Sequence, residues 1–248
     1  MEKTQIKPRK ITISAVIIGI LVLILQHGFY YLGHLLALVT KIPPFLPKIP
    51  VIDDAIPLVS IFIIPYVWSY VHWALVPTVV SRCEKNHYLN YLFGNLLACV
   101  IGMLVLAFAP TYMDRVAEGL YEVTANPTFF DKLRQFWYDM DGSAIAYNLL
   151  PSFHCLNSTL CFLGVMGRKE IPIGFRIYAF IMAFATYAAT VFVKQHYFLD
   201  IIFGILVAVI GYFISKRFRL GEKVFNPILN AIEKSKQKKL EKKNSENA

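Results

Sequence analysis

Four stretches of this chain contain no Asp, Glu, Lys or Arg, and each is long enough to cross a bilayer: Ile11 to Thr40, Ala55 to Ser81, Asn86 to Met113 and Gly142 to Gly167. Hydrocarbon offers no partner to a backbone amide, so such stretches must satisfy their own hydrogen bonds as helices. A fifth stretch, Ile171 to Ser215, would make one helix about twice the thickness of the hydrocarbon core. Its polar residues, Lys194 to Asp200, mark the turn that divides it, with Arg176 near the start of the first leg. Six spans result. The chain is 56% hydrophobic and only 17% charged, which excludes an ordinary soluble domain. The expected fold class is all-α: a polytopic membrane protein with a six-transmembrane-helix bundle over residues 11–215, a basic N-terminal segment 1–10 and a Lys-rich tail 216–248.

Orientation follows from the flanking charges. An inner N-terminus places nineteen of the 25 Lys and Arg residues on one side, among them Lys3, Lys7, Arg9, Lys10, Arg82 and Lys85. The other side keeps Lys41, Lys48, Arg115, Lys132, Arg134 and Lys194. Both termini are therefore expected in the cytoplasm, in a multi-pass protein of the cell membrane. The net charge of +9 reads as an orientation signal and an attraction to anionic lipid, with no nucleic-acid partner implied. The first span is about twice as long as the apolar core of a signal peptide and is followed by no A-x-A site, so it reads as a retained anchor.

The connections differ in character. Pro43, Pro44, Pro47, Pro50 and Pro57 predict an extended or re-entrant first outer segment. In the second, Asp114 to Asp141, the run Phe129 to Tyr138 mixes aromatics with charges as an interfacial helix does, and reads either as a plain aromatic anchor or as a segment lying over a site at the outer face. In the tail, Phe225, Ile228, Leu229 and Ile232 share one helical face, predicting a helix on the cytoplasmic surface. Cys83, Cys99, Cys155 and Cys161 show no C-x-x-C pair and read as buried thiols, with neither a zinc site nor a disulfide framework. Asp53, Asp54, Asp139 and Asp141 read as solvated loop charges, His27, His34 and His72 as packed residues, and His87 as a residue of the cytoplasmic flank.

The polar residues that remain converge on one face. Arg115 follows the outer end of the third span, Ser152 and His154 open the fourth, and Lys194, His196 and Asp200 open the sixth. Ionisable groups at the lip of a membrane span mark function. This set suits phosphoryl transfer. His196 and Asp200 are four apart, so the carboxylate can fix the tautomer and raise the basicity of an imidazole that attacks phosphorus. His154 is then the proton donor to the leaving oxygen. Ser152, just after Pro151, fits a helix N-cap whose free amides receive phosphate. Arg115 and Lys194 supply positive charge for the phosphoryl oxygens. The scheme requires no metal and no cofactor.

These residues resemble the motifs of the type 2 phosphatidic-acid phosphatase superfamily of membrane phosphatases and phosphotransferases. The family motif P-S-G-H is matched by Pro151, Ser152, Phe153 and His154, with Phe for Gly, and S-R-x5-H-x3-D keeps His196 and Asp200. The first motif, K-x6-R-P, survives only in Arg115, with Phe108 at the Lys position and Val116 at the Pro position; Thr190 stands where the third motif has Arg. The resemblance implies a phosphohistidine on His196, Asp200 as its partner and His154 as general acid, over Phe108 to Gly211. Its weakened basic motifs also resemble the inositol-phosphoceramide and sphingomyelin synthase-like phosphotransferases, in which a lipid hydroxyl captures the phosphoenzyme.

The expected function is an integral membrane lipid phosphatase that hydrolyses a lipid phosphate or pyrophosphate at the extracytoplasmic face. The alternative is a phosphotransferase moving a phospho-headgroup between lipids. A channel or transporter would spread polar residues through the depth of several spans, and an intramembrane serine protease built on Ser152 would show a Gly-flanked serine; the sequence shows neither pattern. Lipid identity and oligomeric state leave no mark in it.

Overall fold

In the computed structural model, residues 8–120, 126–142 and 144–246 are described. Lys3 and Lys7 of the orientation pattern lie outside them, as do the side chains of Lys242 and Lys243.

The chain is nearly all-α, with 72% of it helical. Helix α1 spans Ile13–Thr40, capped by Thr12, whose side chain accepts from the Ala15 amide, and ended by Lys41 in the left-handed region at φ 56°. The proline-rich connection holds one short turn of helix, α2 (Pro50–Asp53), and leads into α3 (Ile63–Val80). Helix α4 runs Lys85–Phe108 and stops two residues before Pro110. After it come strand β1 (Tyr112–Asp114), helix α5 (Phe129–Met140) and strand β2 (Ile145–Tyr147). Helices α6 (Phe153–Val165), α7 (Ile173–Phe192), α8 (Phe198–Phe218) and α9 (Leu220–Glu246) complete the order.

Among the described residues, five helical segments are long and apolar enough to cross a membrane: Ile13–Thr40, Ser60–Val80, Lys85–Phe108, Ile173–Phe192 and Phe198–Phe218. The stretch Gly142 to Gly167 was expected to supply a full-length sixth, yet its helix α6 has 13 residues. At about 1.5 Å per residue it falls short of a core about 30 Å thick. The reason is local. Pro151 disfavours helix in the residue before it, and the segment ahead is spent on β2, which pairs antiparallel with β1. Thr111 then caps the incoming chain: its carbonyl accepts from the Asn148 amide at 2.7 Å, and its Oγ1 accepts from the Leu149 and Leu150 amides at 2.9 and 3.1 Å.

Short as it is, α6 sits at the centre. Eleven of its 13 residues are buried, and it packs against α3, α7 and α8. The main core gathers Leu156 and Leu160 of α6 with Trp73, Val76, Leu106 and Val207. Helix α8 also lies close along α4. At Gly211 an added Cβ would come within 2.7 Å of Ala98 Cβ, so only glycine permits this crossing.

The two ends of the bundle differ. At one, the Arg9 amide donates to the Arg82 carbonyl, and α9 docks on the start of α4 through Gly221, whose amide donates to Asn90 Oδ1 at 3.0 Å. Phe225, Ile228 and Leu229 lie on one face there beside Arg9, Lys10 and Lys85. At the other end, α5, the β1–β2 pair, the start of α6 and the α7–α8 turn come together.

Candidate active site

The α7–α8 turn sets the first histidine. Helix α7 ends at Phe192, Lys194 takes the left-handed region at φ 52°, and the amides of Gln195 and His196 both donate to the Thr190 carbonyl, at 2.9 and 3.1 Å. His196 thus lies just ahead of α8, one residue before its N-cap Tyr197. Asp200, in the first turn of α8 and wholly buried, accepts from the Tyr197 amide at 2.9 Å through Oδ2. The same oxygen meets His196 Nδ1 at 3.3 Å. With Nδ1 turned to the carboxylate, Nε2 is the nitrogen left to act.

Helix α6 sets the second. Ser152 is its N-cap, its Oγ accepting from the Cys155 amide at 3.4 Å. The Ser152 amide donates to the Asp200 carbonyl at 3.0 Å, joining the starts of α6 and α8. Gly204 allows that approach, because a Cβ there would stand 2.6 Å from the Ser152 carbonyl oxygen. His154 lies in an aromatic slot, stacked on Tyr66 at 4.1 Å between ring centroids and edge-on to Trp73 at 5.0 Å. Its Nε2 is buried without a hydrogen-bond partner. The two imidazoles are 6.0 Å apart, centroid to centroid.

Both open into one cleft holding about 750 Å³ of empty space, mouth included. Tyr30, Tyr66, Tyr70, Trp73 and Phe153 wall it, and Trp137, Met140 and Asp141 come from α5 and its end. Helix α5 is fixed by a capping box between Thr128 and Asp131 and by Tyr138, whose hydroxyl donates to the Val193 carbonyl at 2.6 Å. The Tyr138 ring is in contact with two guanidiniums, Arg115 at 4.2 Å and Arg134 at 4.8 Å from its centroid.

Residues 47–214, about two-thirds of the chain, match the PAP2 superfamily. The chain belongs to the PAP2 superfamily. No curated protein and no solved structure matches it. PAP2 superfamily members are phosphatases and phosphotransferases, so membership supports phosphatase-type chemistry in general.

The residues singled out in the sequence fall in four places. His154 and His196 line the cleft, with Asp200 directly behind His196. Ser152 is completely buried at the α6 start and does not line the cleft. Arg115, also completely buried, sits one layer back: its Nη1 donates to the Tyr138 carbonyl at 3.2 Å, and its Nη2 to Asp141 Oδ2 at 3.1 Å and Gln195 Oε1 at 2.6 Å. Lys194 points away, its Nζ donating to the Asp53 carbonyl at 2.8 Å. Burial at that place lowers its pKa, with the nearby Asp53 and Glu118 acting against the shift.

Two aspartates expected as solvated loop charges have specific partners instead. Asp53 is 4% exposed and accepts from the amides of Ile49 and Phe198, which docks α2 against the start of α8. Asp141 lies between Arg115 and the cleft; burial raises its pKa, opposed chiefly by the Arg115 guanidinium beside it. His87, expected on the cytoplasmic flank, is buried and bonded to the Gly164 carbonyl at 2.9 Å. Gln195, Trp137 and Asn157 also line the cleft; Gln195 stands beside His196 in the chain and Trp137 lies in the aromatic run Phe129 to Tyr138, whereas Asn157 carried no local signal. Among the described residues no three His, Cys, Asp or Glu side chains are grouped to hold a metal ion.

Proposed function

We propose that the protein is an integral membrane lipid phosphatase working through a phosphohistidine on His196. The observation that carries this is the arrangement of His196, held at Nδ1 by Asp200 at 3.3 Å, and His154, facing it across a shared cleft at 6.0 Å. His196 Nε2 attacks the phosphorus of a lipid phosphate, and the bond from phosphorus to the lipid oxygen breaks. His154 gives that oxygen its proton, so the lipid leaves as a neutral alcohol. Asp200 keeps the proton on Nδ1 and stabilises the imidazolium that forms. Water then enters. His154 takes one of its protons as the oxygen attacks phosphorus, which breaks the P–N bond and releases inorganic phosphate.

The face that carries this cleft is the one with few lysines and arginines, which supports an extracytoplasmic site with both termini in the cytoplasm. One observation favours a second reading, transfer to a lipid hydroxyl. The cleft is walled by aromatic rings, with Trp137 and Met140 of α5 among its lining, a surface that disfavours water and suits a second lipid.

Phosphate release by the purified protein in detergent, from phosphatidic acid, phosphatidylglycerol phosphate and polyprenyl pyrophosphate, tests the first reading. Release that vanishes in His196→Ala supports hydrolysis. No release from any of them, with headgroup movement from a labelled phospholipid to a lipid alcohol, supports transfer.

A further inference from the structure

The phosphohistidine reading, on which this inference rests, needs donors for the oxygens of the group in transit. Among the described residues that line the cleft there is no Lys or Arg. Lys194 is turned to Asp53, and Arg115 is held behind the wall by Tyr138, Asp141 and Gln195. The cleft nevertheless contains buried donors with no partner. Gln195 is 1% exposed, and its Nε2 makes no hydrogen bond; Trp137 Nε1 is in the same condition. A buried, unpaired N–H is costly enough to need a reason.

We propose that Gln195 is the residue that binds the phosphoryl oxygens of the substrate, with Trp137 as a second donor, and that Arg115 is a positioning residue acting through Gln195. The 2.6 Å bond from Arg115 Nη2 to Oε1 fixes which end of the amide is oxygen, so the NH₂ end is the one offered to a ligand. Gln195 adjoins the nucleophile in the chain, and the two residues share the Thr190 carbonyl as acceptor for their amides, so the NH₂ group and His196 are held by one turn. The guanidinium also polarises the amide it holds, which strengthens the N–H donors at its far end. The charge of Arg115 thus reaches the substrate through a neutral group, while Asp141 balances that charge.

Orthovanadate, which takes up the five-coordinate geometry of phosphoryl transfer on a nucleophilic nitrogen, is the probe. Its affinity is measured by calorimetry on the full-length protein in detergent, for wild type, Gln195→Met, Gln195→Glu and His196→Ala, with melting temperature followed in each. Losing one donor to a charged oxygen weakens binding roughly 10- to 100-fold, which is the expectation for Gln195→Met. Gln195→Glu should be at least as weak, because it adds a negative charge while keeping an acceptor for Arg115. A merely structural amide predicts the reverse order, since Glu holds Arg115 and Met does not. Near-wild-type binding by either variant overturns the assignment and leaves His196 standing. If Gln195→Met does not fold, the Glu variant decides. A wild type that takes no vanadate, or a His196→Ala protein that binds it equally well, sinks the phosphohistidine reading and the role of Gln195 together.

Discussion

The amide of Ser152 donates to the carbonyl of Asp200 at 3.0 Å, so the first turns of α6 and α8, beside which the two histidines stand, are joined. The spacing of the imidazoles is therefore a property of the helix starts and owes little to mobile loops. Gly204 is the packing condition for that joint.

A methyl group at Gly204 should separate the two helices. Its Cβ would meet the Ser152 carbonyl oxygen at 2.6 Å and Cys155 Cβ at 3.0 Å, and both are backbone-anchored. Gly204→Ala is expected to cost about 1–3 kcal/mol of stability. It should also lower turnover well beyond any fall in folded protein, measured as kcat per folded molecule after thermal-melt calibration.

The three catalytic assignments predict different depths of loss. His196→Ala should abolish turnover. His154→Ala should reduce it by about 10²–10⁴, the usual worth of a positioned proton donor. Asp200→Asn should be slow but active, because the amide oxygen can take the acceptor place that Oδ2 holds while the charge that steadies the imidazolium is gone. Steady-state rates of the three proteins, each checked for membrane insertion, give the order.

Arg115→Met should act on stability and chemistry together. The guanidinium is fully buried, and its loss leaves Asp141 and the Gln195 oxygen without their donor. Because Asp141 keeps 37% of its side-chain surface exposed, the stability cost falls below that of breaking a fully buried ion pair, at about 2 kcal/mol. Thermal melting in detergent measures it.

Helix α5 should loosen in acid. The hydroxyls of Ser60 and Thr128 hold the Asp131 carboxyl below its ordinary value. A group with a depressed folded pKa contributes stability above its unfolded pKa and loses it as pH falls through the folded one. Hydrogen exchange of the α5 amides should thus quicken below about pH 4 in wild type, while Asp131→Asn, already without the charge, should show little of this change. An equal response in both proteins would remove Asp131 from the account.

Sidedness has its own test. Phe129 is 71% exposed at the start of α5. In a protein with its other cysteines buried, Phe129→Cys should react with a membrane-impermeant thiol reagent added to intact cells. Reaction only after lysis would invert the orientation.

The sequence showed most clearly what depends on short separations. His196 and Asp200 meet across four residues, although the contact comes from a cap at the start of α8 and not from two residues on one helical turn. Ser152 was legible as an N-cap because Pro151 stands before it. The charge-free runs located the spans but not the true length of α6, since a strand and a proline can be as free of charge as a helix. The pairing of Arg115 with Gln195 joins residues 80 apart and depends on how α5 clamps Tyr138, which no local pattern encodes. Asp53 misled for the same reason: its partners, the amides of Ile49 and Phe198, are fixed only by tertiary docking.

The central claim is the covalent intermediate. The protein would be mixed briefly with ³²P-labelled phosphatidic acid or a headgroup-labelled phospholipid, quenched in base and digested, and the acid-labile label mapped by mass spectrometry. The account predicts label on the peptide containing His196, absent in His196→Ala and persisting longer in His154→Ala. Turnover of a labelled lipid with no labelled histidine, or with label that survives in His196→Ala, would contradict it.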